Sequence, residues 1–171
     1  PLLGGHGGAN TLAQILSKKT GGYAAITTAS DLVFGLALDD PPSGWKIAEP
    51  NRVKEVTSAL LAEEPVSLAV EAADAQWLTD TDLSFSESET GILITDQVPV
   101  ESDQRLIYHP PVLVIGIGCE RGAESGEVLE LVTKTLNGAN LASSSVSCVV
   151  SIDLKANEDA VHAVADYLDV P

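Results

Sequence analysis

The sequence predicts an α/β protein of two small domains with mostly parallel sheets. Short apolar runs alternate with amphipathic helical segments along the chain, and this order produces parallel strands joined by helices. Glycine-rich stretches lie between an apolar run and a helix, where βα loops occur. Two consecutive prolines, Pro110 and Pro111, mark a boundary because the residue before a proline avoids the helical conformation. The predicted domains are residues 1–110 and 111–171.

The chain opens on "PLLGGHGGAN", a glycine-rich loop that leads into a helix over "ANTLAQILSKK". Asn10 or Thr11 is expected to cap this helix. Its expected buried stripe is Leu12, Ile15 and Leu16. Too few residues precede Gly4 for a useful strand, the chain has no methionine, and it stops after "DVP", where a further strand is expected. We therefore expect a fold that is truncated at both ends.

The rest of the first domain alternates strands with helices. "AAIT" reads as a strand and "DDPPSG" as a turn, and Pro50 then opens a helix over "NRVKEVTSALLAEE". The expected inward residues of this helix are Val53, Val56, Leu60 and Leu61. Further strands are expected from Val66, over 92–96 and over 105–110. Residues 72–90 are polar and acidic, and the stretch "DTDLSFSESETG" predicts a mobile loop.

The second domain begins with "VLVIGIG", an unbroken apolar run typical of a central parallel strand. A helix over "EVLELVTKTL" follows, and its expected inward residues are Val128, Leu129, Leu131, Val132 and Leu136. "VSCVVSI" is the next expected strand. Asn157 is expected to cap a last helix, whose expected buried residues are Val161, Val164, Ala165 and Leu168.

Composition excludes several classes of function. The 171 residues carry 25 acidic and 9 basic side chains, a formal charge of −16, so no basic stripe is available for nucleic acid. No run approaches the roughly 20 apolar residues of a membrane span. Cys119 and Cys148 do not form a disulfide framework and suggest a reducing, cytoplasmic setting. The three histidines lack ligand spacing, so no metal site is expected, and nothing indicates an oligomeric state.

Four stretches rich in glycine, small hydroxyls and single charges are expected at the carboxyl ends of strands, where α/β sheets bind ligands. They are "GGHGGAN", "TTASD", "GIGCERG" and "SIDLK". The third is not a dinucleotide fingerprint, because its spacing is G-x-G-x-x-x-G and the nearest suitable acid, Asp153, lies 31 residues after Gly122. A generic nucleotide- or anion-binding protein remains an alternative, as does a purely structural role for the glycines.

In order and spacing, "PLLGGHGGAN", "ITTASD", "VLVIGIGCERG" and "SIDLKANE" resemble the CbiG family of cobalamin-biosynthesis proteins. From about Val112 the chain resembles the C-terminal domain that this family shares with CobE. The resemblance implies a cobalt-precorrin 5A hydrolase of the anaerobic pathway, which opens a δ-lactone, releases acetaldehyde and contracts the ring. Cobalt would arrive within the corrinoid substrate, so no cofactor is expected. Other enzymes of the pathway are candidate partners, and a non-catalytic corrinoid carrier is the alternative.

Physical reasoning then assigns roles to residues of the four stretches. His6 or Asp31 is the expected general base, since lactone opening needs an activated water. Glycine N–H groups are the expected oxyanion donors and carboxylate contacts, with charge added by Arg121 and Lys155. The full set of expected substrate-binding residues is Gly4, Gly5, Gly7, Gly8, Asn10, Thr27, Thr28, Gly116, Gly118, Cys119, Arg121, Gly122, Asp153 and Lys155. For His6 the alternative is a loop histidine that caps carbonyls, and for Cys119 a small buried residue.

Overall fold

A computed structural model describes residues 9–25, 36–100 and 103–171 of the chain, with side chains from residue 12 onward. The helices are α1 (Ala9–Thr20), α2 (Pro50–Leu61), α3 (Gln76–Thr79), α4 (Ser125–Gly138) and α5 (Asp159–Leu168). The strands are β1 (Lys46–Ile47), β2 (Ser67–Val70), β3 (Gly91–Ile94), β4 (Leu106–His109), β5 (Leu113–Gly116) and β6 (Val146–Val150). This alternation, with mostly parallel pairing, confirms the predicted α/β class.

The first sheet has the strand order β1-β4-β3-β2. Strands β2, β3 and β4 run parallel, and the short β1 pairs antiparallel with β4. Every residue of β3 and β4 is buried, and Val56 and Leu60 of α2 belong to the same core. A Cβ on Gly91 would lie 2.9 Å from the carbonyl oxygen of Ser67, so glycine permits the close pairing of β2 and β3.

The polar segment 72–90 packs against the first core. It contains α3, and Leu78 is fully buried in the first core, with Leu83 and Phe85 packed against that core. The ring centroids of Trp77 and Tyr108 lie 5.2 Å apart in an edge-on arrangement. Helix α3 was not predicted from the sequence, because the apolar residues here are widely spaced among acids. Residues 80–90, which form most of the predicted loop, contain no helix or strand, and their mobility stays a prediction.

The second sheet pairs β5 and β6 in parallel, and α4 and α5 pack together, with α5 also contacting β6. Its core contains Val132, Leu136, Val146 and Val164. The predicted parallel pairing of β5 is confirmed. Its central position stays a prediction: among the described residues β5 pairs only with β6, and partial burial alternates with exposure along the strand. Leu131 of α4, expected to face inward, is 65% exposed.

The two sheets meet where the chain leaves β3. The backbone carbonyl oxygen of Asp96 accepts a hydrogen bond of 2.8 Å from the N–H of Ala142. The N–H of Val98 donates to the backbone carbonyl oxygen of Asn140 over 3.0 Å. Gln97 and Leu141 form an antiparallel bridge. Each sheet nevertheless has its own apolar core among the described residues. The division between residues 110 and 111 stays a prediction, and the separate cores support it.

Two predicted helix details are wrong. Leu12, Ile15 and Leu16 of α1 are 45–56% exposed, although all three were expected to be buried. Asn157 does not cap α5, because a 3₁₀ turn over Asp153–Lys155 continues to Glu158, which occupies the cap position. In the predicted strand "AAIT", Ala24 and Ala25 have no regular structure and the remaining two residues lie outside the described ranges.

Candidate functional site

The carboxyl ends of β5 and β6 lie side by side because the two strands are parallel. The N–H of Ile117 donates a hydrogen bond to the backbone carbonyl oxygen of Val150 over 2.9 Å. The hydroxyl of Ser151 donates to the backbone carbonyl oxygen of Ile117 over 2.7 Å. These bonds place the stretch "GIGCERG" next to the stretch "SIDLK". The structure therefore brings together two of the four stretches that the sequence analysis selected.

Glu158 connects these two stretches. Its Oε2 accepts the backbone N–H of Gly122 at 2.9 Å, and its Oε1 lies 3.3 Å from Nζ of Lys155. Nε of Arg121 lies 3.9 Å from the same Oε1, beyond hydrogen-bond distance but within ion-pair range. The Glu158 side chain is only 9% exposed. A carboxylate of the protein thus contacts three of the residues that were expected to bind substrate.

The electrostatics of Glu158 follow from these contacts. The backbone N–H of Gly122 holds the pKa of the Glu158 carboxyl below its usual range, against the opposing effect of desolvation, and Lys155 and Arg121 add to the lowering. Gly122 has a φ of +73°, a left-handed conformation that glycine adopts without strain. Gly122 adopts this conformation in the loop where its own N–H donates to the Glu158 carboxylate. Glu158 therefore stays ionised at neutral pH.

The two cations of the site differ in exposure. The side chain of Lys155 is 16% exposed, whereas that of Arg121 is 86% exposed. Lys155 is held in its ion pair with Glu158, and Arg121 extends into solvent beside it. Asp153 lies at the same edge and is exposed.

Two clefts flank the loop from Gly116 to Gly122. The first, of about 250 Å³, is predominantly apolar and lies between the end of β5 and one side of α4. Its lining residues are Ile115, Gly116, Ile117, Gly118, Cys119, Val128, Leu131, Val132, Thr135 and Leu136. The second, of about 480 Å³, is polar, and it is lined by Arg121, Gly122, Ala123, Glu124, Ser125, Leu154, Asn157, Glu158 and Asp159.

The glycines of this loop are not explained by close packing. A Cβ on Gly116, Gly118 or Gly122 would meet no heavy atom of the described residues within 4 Å. With respect to this part of the chain, the space at Gly116 and Gly118 is therefore open, and Gly122 has a positive φ. Such open space permits a ligand to approach the backbone.

Other titratable groups serve the fold. His109 is buried and its Nδ1 lies 2.8 Å from the carbonyl oxygen of Thr95, while the exposed His162 places Nε2 2.8 Å from the carbonyl oxygen of Ala156. Within the described ranges no cluster of three or more His, Cys, Asp or Glu side chains is arranged to hold a metal ion. Cys119 and Cys148 are free and half-buried. No helix of the described residues is long and apolar enough to cross a membrane.

The other half of the predicted site lies outside the described residues. This half contains both expected bases, His6 and Asp31, and the expected binding residues Gly4, Gly5, Gly7, Gly8, Thr27 and Thr28. Asn10 lies in α1, and its side chain is not described. The assignments of these residues stay predictions.

Sequence reasoning missed Glu158. Its spacing of three residues from Lys155 in "DLKANE" was a usable signal, since residues at i and i+3 meet on one side of a helical turn. The contact with Gly122, 36 residues away, carries no local signal. It arises only when the ends of β5 and β6 are placed side by side.

Comparisons with known proteins match this chain to cobalamin-synthesis proteins over three successive segments. Family models match in order: "Cobalamin synthesis G N-terminal" over 1–31, "Cobalamin biosynthesis central region" over 41–110 and "Cobalamin synthesis G C-terminus" over 113–171. A "Cobalt-precorrin-5A hydrolase" of Priestia megaterium is 26% identical over 96% of this chain and 50% of its own length. "Protein CobE" of a Sinorhizobium species is 39% identical over 34% of this chain and 38% of its own.

Among solved structures, a cobalamin biosynthesis protein G homolog from Sulfolobus solfataricus matches 99% of this chain and 50% of its own, at 24% identity and a TM-score of 0.32. The chain thus spans about half the length, or less, of the relatives it matches. The three family models, in their expected order, show that this chain belongs to the CbiG family of cobalamin-synthesis proteins.

Proposed function

We propose that this protein acts in the anaerobic pathway of cobalamin biosynthesis and hydrolyses the δ-lactone of cobalt-precorrin 5A. Support comes from the three CbiG family matches and from the similarity to the Priestia megaterium hydrolase along nearly the whole chain. Cobalt belongs to the substrate in this proposal, and the protein supplies no cofactor. Its working compartment would be the cytoplasm, where other enzymes of the pathway supply the substrate and take the product.

One structural observation supports a corrinoid substrate: the loop from Gly116 to Gly122 separates an apolar cleft from a charged one. A corrinoid has the same two characters, an apolar macrocycle and a rim of acetate and propionate chains. The apolar cleft, at about 250 Å³, is smaller than typical pockets for whole small molecules, which begin near roughly 300 Å³. It would therefore take an edge of the macrocycle, with rim carboxylates near Arg121.

The proposed chemistry needs a base and an oxyanion site. His6 or Asp31 would remove a proton from water, which adds to the lactone carbonyl and forms a tetrahedral oxyanion. Collapse of this intermediate breaks the ester C–O bond and leaves a carboxylate and a hydroxyl group on the two-carbon unit. Loss of the hydroxyl proton forms the carbonyl of acetaldehyde as the carbon–carbon bond to the macrocycle breaks, and the macrocycle keeps the electron pair and takes up a proton. Gly122 already donates its N–H to Glu158, so we assign the oxyanion donors to the glycines at positions 4, 5, 7 and 8.

Acetaldehyde release tests this function. The chain is incubated with cobalt-precorrin 5A without oxygen, and the aldehyde is trapped and quantified. We expect release from the wild type and a loss of at least about tenfold in either His6→Ala or Asp31→Ala, since general-base catalysis contributes about 10²–10⁴-fold. Full turnover in both variants would overturn the assignment of the base, and no release by the wild type would overturn the hydrolase function of this chain.

A corrinoid carrier is the second candidate. The 39% identity to Protein CobE favours it, as does the fact that the described part of the site offers two clefts and an exposed cation, which suit binding. A carrier would bind cobalt-precorrin 5A and return it unchanged. The trapped aldehyde and the recovered corrinoid distinguish these two functions in one incubation.

A further inference from the structure

A carboxylate of the protein lies where a carboxylate of the substrate was expected. The N–H of Gly122, Nζ of Lys155 and Nε of Arg121 converge on the carboxylate of Glu158, at 2.9, 3.3 and 3.9 Å. A backbone N–H with two cations is a common arrangement for binding a carboxylate. We call these three groups the carboxylate seat. Its occupant in this structure is Glu158.

With Glu158 in the carboxylate seat, the two cations differ in their exposure and in their distance from its carboxylate. Lys155 is 16% exposed and its nearest acidic oxygen belongs to Glu158. Arg121 is 86% exposed and faces Glu158 through Nε at a longer distance. Among the described residues, the terminal nitrogens of Arg121 take part in no hydrogen bond of the kind that holds Arg105 to Asp103. These terminal nitrogens form the planar fork that binds carboxylates in a bidentate manner.

We propose that Glu158 is a positioning residue of the substrate-binding edge: it fills the seat made by Gly122 and Lys155, and it orients Arg121 so that this arginine alone of the three groups contacts a rim carboxylate of the substrate. The second half of this inference rests on the proposed corrinoid substrate, and the first half does not. Glu158 thereby limits this edge to one substrate carboxylate, because its own negative charge compensates Lys155.

The first experiment tests the seat without any corrinoid. In Glu158→Ala the seat is empty, and formate, which is a carboxylate alone, is small enough to enter it. We expect sodium formate to raise the melting temperature of Glu158→Ala above its value in sodium chloride of equal ionic strength. Wild type and Glu130→Ala, which loses an exposed partner of Lys134, should show no difference between the two salts. An equal response of all three proteins would overturn the seat.

The second experiment measures binding of dicyanocobyrinic acid, whose rim chains are carboxylates, and of dicyanocobinamide, whose rim chains are amides. Arg121→Gln should weaken binding of the acid about fivefold and leave the amide unchanged, the effect of one exposed ion pair. Glu158→Gln keeps an acceptor for Gly122 but frees Lys155, so it should bind the acid about threefold tighter. Glu158→Gln with Lys155→Gln should return to the wild-type affinity.

Tighter binding is the decisive result, because a residue that only maintained the fold would weaken binding when replaced. Glu130→Gln controls for the change of net charge and should bind like wild type. Weaker or unchanged binding of the acid by Glu158→Gln, or an equal gain in Glu130→Gln, overturns the positioning role. If neither corrinoid binds the wild type, the substrate half of this inference is overturned, while a formate response restricted to Glu158→Ala still confirms the seat. Acetaldehyde release from cobalt-precorrin 5A tests the proposed function separately.

Discussion

The backbone N–H of Gly122 donates to the carboxylate of Glu158 across the ends of two parallel strands. This one hydrogen bond joins the loop after β5 to the segment after β6. It also determines which groups of the predicted site remain available, since Gly122 and Lys155 meet the protein's own carboxylate and Arg121 extends outward. The glycine and the two cations that were predicted from the sequence to bind substrate are therefore arranged around the carboxylate of Glu158.

The first prediction concerns Gly122. We expect Gly122→Ala to lower the free energy of unfolding by about 1–2 kcal/mol, because an L-residue is strained at a φ of +73°. Within the part of the chain that the structure describes, a Cβ there meets nothing within 4 Å, so no steric clash adds to this strain.

Gly126 in α4 is the matched control for this change. It also has open space around a Cβ, but its φ is not positive. Gly126→Ala should raise the free energy of unfolding by about 0.5–1 kcal/mol, as expected within a helix. Urea unfolding of both variants measures the difference, and equal effects of the two substitutions would contradict the assigned conformation.

The second prediction is the acid dependence of stability. The pKa of Glu158 is lowered in the folded protein from an ordinary value of 4.5, so its contribution is present above the unfolded pKa and is lost as pH falls through the folded pKa. We expect Glu158→Gln to be less stable than wild type at neutral pH, with a gap that narrows below about pH 4.5. Urea midpoints across this range measure the gap. A gap that is constant with pH would exclude an ionised role for Glu158.

The third prediction tests the packing of residues 72–90. Leu78 is fully buried, so Leu78→Ala should lower the free energy of unfolding by about 2–5 kcal/mol. Leu154 is 80% exposed, and Leu154→Ala should change it by less than about 0.5 kcal/mol. Thermal or urea unfolding distinguishes the two variants. A small effect of Leu78→Ala would contradict the packing of this segment against the first core.

The fourth prediction concerns the apolar cleft. Leu131 is 65% exposed and lines this cleft, so Leu131→Ser should leave stability within about 0.5 kcal/mol of wild type. It should weaken binding of dicyanocobyrinic acid and dicyanocobinamide equally, because both present the same macrocycle. Tyr167→Ser, at a 64% exposed side chain of α5 that does not line this cleft, is the control and should bind as wild type does. Unchanged binding by Leu131→Ser would place the macrocycle elsewhere.

Local patterns predicted the regular elements of the fold well. The apolar stripe of α2 and the short runs of β3, β4 and β6 lie in the chain where their periodicity places them. Burial of particular faces was harder to predict, because it depends on what covers an element. Leu131 fits the helical pattern of α4 yet is exposed, and it lines the apolar cleft beside the end of β5.

In the candidate site, too, local patterns predicted some features, whereas others depend on contacts between distant parts of the chain. The positions of Gly116, Gly118, Arg121 and Lys155 at one sheet edge followed from the strand–loop–helix order. The role of Glu158 did not, because it depends on a hydrogen bond between residues 36 positions apart. The burial of Glu158 beside two cations depends on tertiary structure, so the spacing of residues in the sequence does not predict it.

Acetaldehyde release from cobalt-precorrin 5A tests most directly our proposal that this chain hydrolyses a corrinoid lactone. We expect the wild-type chain, incubated without oxygen, to release trapped acetaldehyde in proportion to the corrinoid consumed. We also expect Arg121→Gln to need a higher substrate concentration for the same rate. Recovery of intact cobalt-precorrin 5A bound to the protein, with no aldehyde, would contradict hydrolysis and identify a carrier instead.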